Sequence, residues 1–164
     1  MLRTLKMLEW VVLAGIAVLV TSCADLQTGL DAYSRGDYAT ALRNLRPLAE
    51  GGDADAQVTI GLMYKLGQGV PQDHAEAATW MHRAAGQGQS AAQGILGTMY
   101  VTGQGVPQDY VKAHAYFAVA GAQGQKDSFT ARNGLEKLMS PEDIAEARRL
   151  ASECAENEFK GCEF

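Results

Sequence analysis

Three histidines, His74, His82 and His114, are the side chains in this sequence best suited to hold a metal or move a proton near neutral pH. His74 and His82 stand eight residues apart, so a helix spanning them would show both on roughly one side. A helical metal site needs neighbours at i+3 or i+4 and a third ligand, and neither histidine has them. All three are read as solvated or locally bonded, with no metal and no cofactor. Carboxylates that suit glycan chemistry are present, among them Glu76 and Glu136, but nothing in their spacing sets one pair apart. Serine-nucleophile turns, the HExxH pattern and paired Cys-x-x-Cys motifs are absent. The residues therefore imply no catalytic centre and a protein that is not an enzyme.

A sharper candidate is the string GQGVPQD, which occurs as Gly67 to Asp73 and again 36 residues later as Gly103 to Asp109. Glycine-rich turns before helices can cradle phosphates. This one lacks the Lys-Ser/Thr pair of a phosphate loop, follows no strand-like run and is repeated, so it is read as a corner between helices. Gly67 and Gly103 fall where a left-handed C-terminal cap is wanted, a conformation glycine adopts without a Cβ penalty. Gly69 and Gly105 add a second flexible point, and Pro71 and Pro107 forbid continuation of the helix. Asp73 and Asp109 are N-caps for the next helix. Glu76 at N3 predicts a reciprocal capping box in the first copy, which Lys112 breaks in the second.

The period extends well beyond the corner. Ala56-Gln57, Gly61 and Met63-Tyr64 recur as Ala92-Gln93, Gly97 and Met99-Tyr100, and Gln87-Gly88-Gln89 recurs as Gln123-Gly124-Gln125. A fixed period in this range is the signature of a repeat array, whose units stack and bind partners more often than they transform them. Asp37, Ala41, Ala49 and Gly52 extend the register backwards with a shorter opening turn, and Pro47 is expected to kink its helix or end it early. Gly61 and Gly97 each cost about 1 kcal/mol in a helix relative to alanine, so their recurrence implies a close helix approach. Trp80-Met81 and Tyr116-Phe117 are expected to fill the space between neighbours. Residues 126–139 read as a further helix with Phe129, Leu135 and Leu138 inward. Ser140-Pro141-Glu142-Asp143 is a strong helix start, and Ile144, Ala147, Leu150, Ala151 and Cys154 give that helix one apolar face, as a terminal cap requires.

The chain has 164 residues, is 47% hydrophobic and carries a formal charge of −5. Arg3 and Lys6 precede the apolar run Trp10 to Val20, which suits a secretory signal over residues 1–22. Val20-Thr21-Ser22-Cys23 resembles the lipobox of bacterial lipoproteins, with Cys23 as the lipidated residue, residues 23–29 as a spacer and membrane attachment through the lipid. An ordinary cleaved signal and an uncleaved anchor are the other readings. The resemblance, with Ala24 after the cysteine, implies the outer membrane, facing the periplasm. Removing residues 1–22 takes away Arg3, Lys6 and Glu9, so 14 basic and 19 acidic residues become 12 and 18. An acidic protein without basic clusters is a poor match for nucleic acid. Cys154 and Cys162 then remain; an exported compartment permits a disulfide between them, with two free thiols as the other reading.

With these residues in place the chain resembles the Sel-one-like repeat family, related to tetratricopeptide repeats. Ala56-Gln57, Gly61, Tyr64, Gly67-Gln68-Gly69-Val70, Asp73, Ala77, Trp80, Ala84-Ala85 and Gly88 meet the family pattern. Ala92-Gln93, Leu96-Gly97, Tyr100, Gly103-Gln104-Gly105-Val106, Asp109, Lys112-Ala113, Tyr116, Ala120 and Gly124 meet it again. The resemblance implies partner binding in the bacterial cell envelope and carries no catalytic residue across. It also leaves a second hypothesis, a peptidoglycan-related or β-lactam-processing envelope enzyme.

The expected fold is all-α: a right-handed α-solenoid of helix-turn-helix repeats over residues 30–157, with units at 30–52, 53–88 and 89–124. A cap at 125–157 carries the C-terminal capping helix, and a tail spans 158–164. A protein partner of the envelope is expected in the groove made by the first helix of each pair, at residues 57–65 and 93–102. Three repeats are near the minimum for stability, so a partner or a second copy, as a homo-oligomer, is expected to complete the surface.

Overall fold

The computed structural model describes residues 25–162 and residue 164; the expected signal and Cys23 lie outside the described residues. Within them the chain is built of helices and turns, with no strand. Three successive hairpins are formed by α1 (residues 25–34) and α2 (Tyr38–Glu50), α3 (Ala54–Leu66) and α4 (His74–Gly86), and α5 (Ser90–Thr102) and α6 (Tyr110–Ala122). α7 (Lys126–Leu135), a 3-10 turn (Glu136–Leu138) and α8 (Pro141–Glu156) follow. Each helix from α2 to α6 packs on the next, and α8 also lies against α6. The result is an all-α solenoid.

Caps at both ends fix the length of these helices. Gly67 (φ 68°) and Gly103 (φ 71°) end α3 and α5 in the left-handed region, and their N–H groups bond the Met63 and Met99 carbonyls. One Asp73 carboxylate oxygen accepts from the Ala75 and Glu76 N–H groups at 2.9 and 3.0 Å, and Asp109 accepts from Lys112 N–H at 3.0 Å. Such a cap contributes about 1 kcal/mol. The reciprocal half of the expected capping box is absent, because the Glu76 carboxylate turns to Trp80 and accepts its indole N–H at 2.9 Å. Nor does Pro47 shorten its helix: α2 runs on to Glu50, the repeat equivalent of the last residue of α4. Pro47 deprives only the Arg43 carbonyl of a partner, and Arg43 and Pro47 are both exposed to water.

The glycines inside the first helices are contact points. An added Cβ at Gly61 would lie 2.8 Å from Met81 Cε, and one at Gly97 would lie 2.6 Å from the Phe117 ring. The same contact exists in the first hairpin, where a Cβ on Gly29 would meet Leu45 Cδ2 at 2.5 Å. Leu45, Met81 and Phe117 are equivalent by the period, and all three are buried. Each therefore supplies roughly 1.5–3 kcal/mol of apolar burial through a gap that a methyl group would close. Trp80 and Tyr116, as expected of them, are buried as well.

The second glycine of each corner sets the register between hairpins. Gly69 (φ 73°) rests on Tyr38, where a Cβ would come within 2.6 Å of the tyrosine Cβ. Gly105 (φ 78°) rests on the backbone of His74, with only 2.0 Å between its would-be Cβ and the His74 carbonyl oxygen. Each corner thus leans on the first residue of the preceding hairpin's second helix. Val70 and Val106 pack into the two main core clusters beside these contacts.

The last third departs from expectation. α7 stops at Leu135 and tightens into the 3-10 turn, so residues 126–139 are not one helix. Leu135 is buried, but Phe129 is 51% exposed and Leu138 70% exposed. With α7 and α8 both packed on α6, the break turns Leu138 away from the core. Arg132 lies over the Phe129 ring at 4.7 Å and partly covers it.

Candidate protein-binding cleft

The first-helix face selected from the sequence presents Val58, Leu62 and Lys65 on α3 and their equivalents Gly94, Thr98 and Val101 on α5, at i, i+4 and i+7 spacing. None of these is buried. Between α5 and α7 the surface opens into a cleft of about 330 Å³. Thr98 and Val101 form one wall, Ala131, Gly134 and Leu135 the other, and Phe117 and Leu138 also line it. A second hollow of about 310 Å³ shares Thr98, Phe117 and Ala131 and continues towards Gly94, Ile95 and Ser128. The two helices are close at that end, where a Cβ on Gly94 would meet Ser128 Oγ at 2.9 Å.

Asp127 is the one charged side chain on either lining, so the cleft suits apolar side chains rather than acid–base chemistry. Leu138 was expected in the core; its exposure instead contributes apolar surface to the mouth of this site.

A ladder of glutamines holds the hairpins in register behind the cleft. Gln57 Nε2 donates to the Ala49 carbonyl at 3.0 Å, while its Oε1 accepts from Gln87 Nε2 at 2.7 Å. One period on, Gln93 Nε2 donates to the Ala85 carbonyl at 3.3 Å and its Oε1 accepts from Gln123 Nε2 at 2.6 Å. Gln57 and Gln93 are both buried, and each gives a second donor to a helix-end carbonyl that also accepts the Gly52 or Gly88 N–H. The corner glutamines Gln72 and Gln108 bond the Lys65 and Val101 carbonyls at 2.9 and 2.7 Å, but on the exposed surface. The signal for these roles was present in the sequence as polar residues recurring at the period among apolar neighbours.

The histidines are scattered. His82 lies between the hydroxyls of Tyr100 and Tyr116, at 3.4 and 3.3 Å, and His74 begins α4. His114 is fully buried, with Nε2 2.9 Å from Glu136, and Glu136 also accepts from Arg148 at 3.1 Å. Two residues singled out separately as chemical candidates therefore meet, but as a tie between α6, the 3-10 turn and α8. Burial pushes the His114 imidazole below its ordinary pKa against the opposing pull of Glu136, so the neutral ring donates from Nε2. The hydrogen bonds from His114 and Arg148 hold the Glu136 carboxyl below its ordinary value. No group of three His, Cys, Asp or Glu side chains among the described residues is placed to hold a metal.

Cys154 and Cys162 are joined as a disulfide with their Cα atoms 5.2 Å apart. The tail this closes does not project: it folds back over α6 towards α4. Cys23 lies outside the described residues.

Stacked capped hairpins with an apolar cleft between first helices define a class: a helical-repeat protein of the kind that holds other proteins. The Sel1 repeat pattern matches residues 54–89 and 90–125, and with the relatives below it identifies the family: the chain belongs to the Sel1 repeat proteins. A solved Sel1 repeat protein of Oxalobacter formigenes is 33% identical with a TM-score of 0.64, over 77% of this chain and 98% of that one. A protective antigen present in uropathogenic Escherichia coli strains, which displays an SLR fold, is 33% identical with a TM-score of 0.77 over 82% of this chain. The present chain spans 30% of that antigen's length. Among curated proteins none matches.

Proposed function

We propose that this protein is a non-catalytic scaffold of the bacterial cell envelope, tethered through a lipid on Cys23, that holds a protein partner in the cleft between α5 and α7. Sel1 repeat proteins generally mediate protein–protein interaction, and the all-α solenoid described above is built for that use. The observation that carries the reading is the cleft itself. Val101, Phe117, Ala131, Leu135 and Leu138 give it an apolar lining, and it sits on the first-helix face of a small array. A partner side chain entering it would cover Leu138, the most exposed large hydrophobic residue described. The sequence of residues 1–23 and the likeness to a protective antigen support an exported location.

The test places a photo-crosslinking residue at Thr98 in cells, with a second at Glu153 on the far side of α8 as control. A defined adduct at Thr98, absent at Glu153 and lost when Leu135→Glu is added, is the expected result. Equal labelling from both positions would refute the cleft as the binding face. Fatty-acid labelling lost in Cys23→Ser checks the anchor.

A further inference from the structure

The C-terminal segment is held the way a groove holds a foreign peptide. Among the described residues, four hydrogen bonds involve its main chain: Gly161 N–H donates to the Gly86 carbonyl at 2.7 Å, Gln93 Nε2 donates to the Phe159 carbonyl at 3.2 Å, Tyr116 hydroxyl donates to the Cys162 carbonyl at 3.2 Å, and Lys112 Nζ donates to the Phe164 carbonyl oxygen at 2.8 Å. Among the described residues, the Phe164 ring is set edge-on against Tyr116 at 4.7 Å, while Cys162 and Phe159 pack in the cluster of Val119. Main-chain hydrogen bonds with one aromatic anchor are a mode of recognition that tolerates many sequences and selects for a ring at one position.

The segment reaches this position at a cost. Glu158 and Phe159 both take positive φ, 53° and 63°, and Gly161 follows at 66°. The two non-glycine residues each cost about 1 kcal/mol in that conformation. The bend exists because the chain must reverse from the end of α8 to cross α6, and the Cys154–Cys162 disulfide keeps it reversed. A segment arriving from another molecule could make the same contacts with no such bend.

The preceding hairpin shows that the groove is specialised. The equivalents of His82, Tyr100, Lys112 and Tyr116 are Arg46, Tyr64, Glu76 and Trp80. There the polar groups satisfy one another, Arg46 bonding the Tyr64 hydroxyl at 3.0 Å and the Trp80 indole bonding Glu76 at 2.9 Å. In the third hairpin His82 meets the Tyr100 and Tyr116 hydroxyls in the place of Arg46, but a lysine replaces the acceptor and a tyrosine replaces the indole, so Lys112 Nζ and the Tyr116 hydroxyl also reach main-chain carbonyls of the tail.

From this geometry we infer that the face between α4 and α6, around Tyr116, Lys112 and Gln93, is a second binding surface for an extended peptide segment carrying an aromatic residue, and that residues 157–162 and 164 are its tethered occupant. It is a different surface from the α5–α7 cleft and stands whether or not that cleft holds a partner. An incoming segment displaces the tail and presents its own aromatic ring to Tyr116.

The probe is a dye-labelled, C-terminally amidated peptide of residues 157–164 with serine in place of Cys162. The protein is the full chain, either wild type or carrying Cys162→Ser and Phe164→Ala. Anisotropy should show saturable binding to the double variant, at least tenfold weaker binding to the wild type, and at least tenfold weaker binding of a probe whose last residue is alanine. Adding Lys112→Ala to the double variant should weaken the probe by about tenfold. Equal affinity for wild type and double variant, indifference to the terminal ring, or no binding to a double variant of normal helicity would overturn the proposal. If the double variant loses helicity, hydrogen exchange on the wild-type chain decides. Saturating unlabelled peptide should speed exchange of the amides of residues 157–162, and unchanged exchange would refute displacement.

Discussion

Gly103→Ala and Gly105→Ala form a matched pair that tests how the hairpins are set against one another. Both glycines sit at nearly the same positive φ, 71° and 78°, so both substitutions carry the same conformational cost, about 1 kcal/mol. Their surroundings differ. A Cβ at Gly103 would meet Gln108 Cβ at 3.5 Å, an ordinary contact, whereas one at Gly105 would sit 2.0 Å from the His74 carbonyl oxygen. That oxygen belongs to the backbone of the preceding hairpin and cannot rotate aside. Forcing the two apart adds roughly 1–3 kcal/mol, the usual cost of overpacking. Gly103→Ala should therefore cost about 1 kcal/mol and Gly105→Ala about 2–4 kcal/mol. At roughly 3–5 °C per kcal/mol for a domain of this size, the melting temperatures should fall by about 3–5 °C and by 6 °C or more. Thermal melts followed by circular dichroism at 222 nm would read both. Equal losses would mean that the corner does not bear on the preceding hairpin, and the register argument would fail.

Other outcomes follow from the same contacts. Gln93→Ala should cost about 1–3 kcal/mol in urea unfolding, because it removes the buried acceptor of the Gln123 amide and opens a cavity, while the Ala85 carbonyl keeps the Gly88 N–H. Gly97→Ala should destabilise despite alanine's better helix propensity, since its methyl would enter the Phe117 ring; a paired Phe117→Leu should recover most of the loss in the same assay. His114 titrates below its ordinary 6.5 in the folded state, so the unfolded chain binds the proton more readily. Its contribution is therefore complete above pH 6.5 and is lost as pH falls towards the folded value; melting temperature against pH should decline from about pH 6.5 downward, and His114→Gln should flatten that limb. Substituting Cys162→Ser should cost about 2–3 kcal/mol, the entropy of closing so short a loop, measured by chemical denaturation.

The repeated body was legible in the sequence because its determinants are local. A glycine at a helix end, an aspartate at the next start and a proline between them act within a few residues, and their recurrence fixed the fold. What could not be read was the partner of each contact. Gly105 looked like a flexible point, and only the packed structure shows that its missing side chain makes room for another hairpin's backbone. Gln57 and Gln93 were visible as recurring letters, but their task depends on carbonyls eight residues earlier in the chain. The cap was misread where periodicity gave way to tertiary choice: Leu138 fits a helical stripe, yet the tightened turn after Leu135 carries it outward. Of the tail only the Cys154 and Cys162 pair could be read, since its other described hydrogen bonds to the body run through its main chain, which every residue possesses.

The way each corner leans backwards gives the row a direction. A hairpin with the seven-residue corner has a seat for the one before it, whereas the short turn between α1 and α2 holds Gly36, which meets none of the described residues. Whole 36-residue blocks can therefore be copied in or cut out downstream of the α1–α2 pair, each bringing its own joint. A lone residue gained or lost inside a corner would jam the joint and misalign everything beyond it.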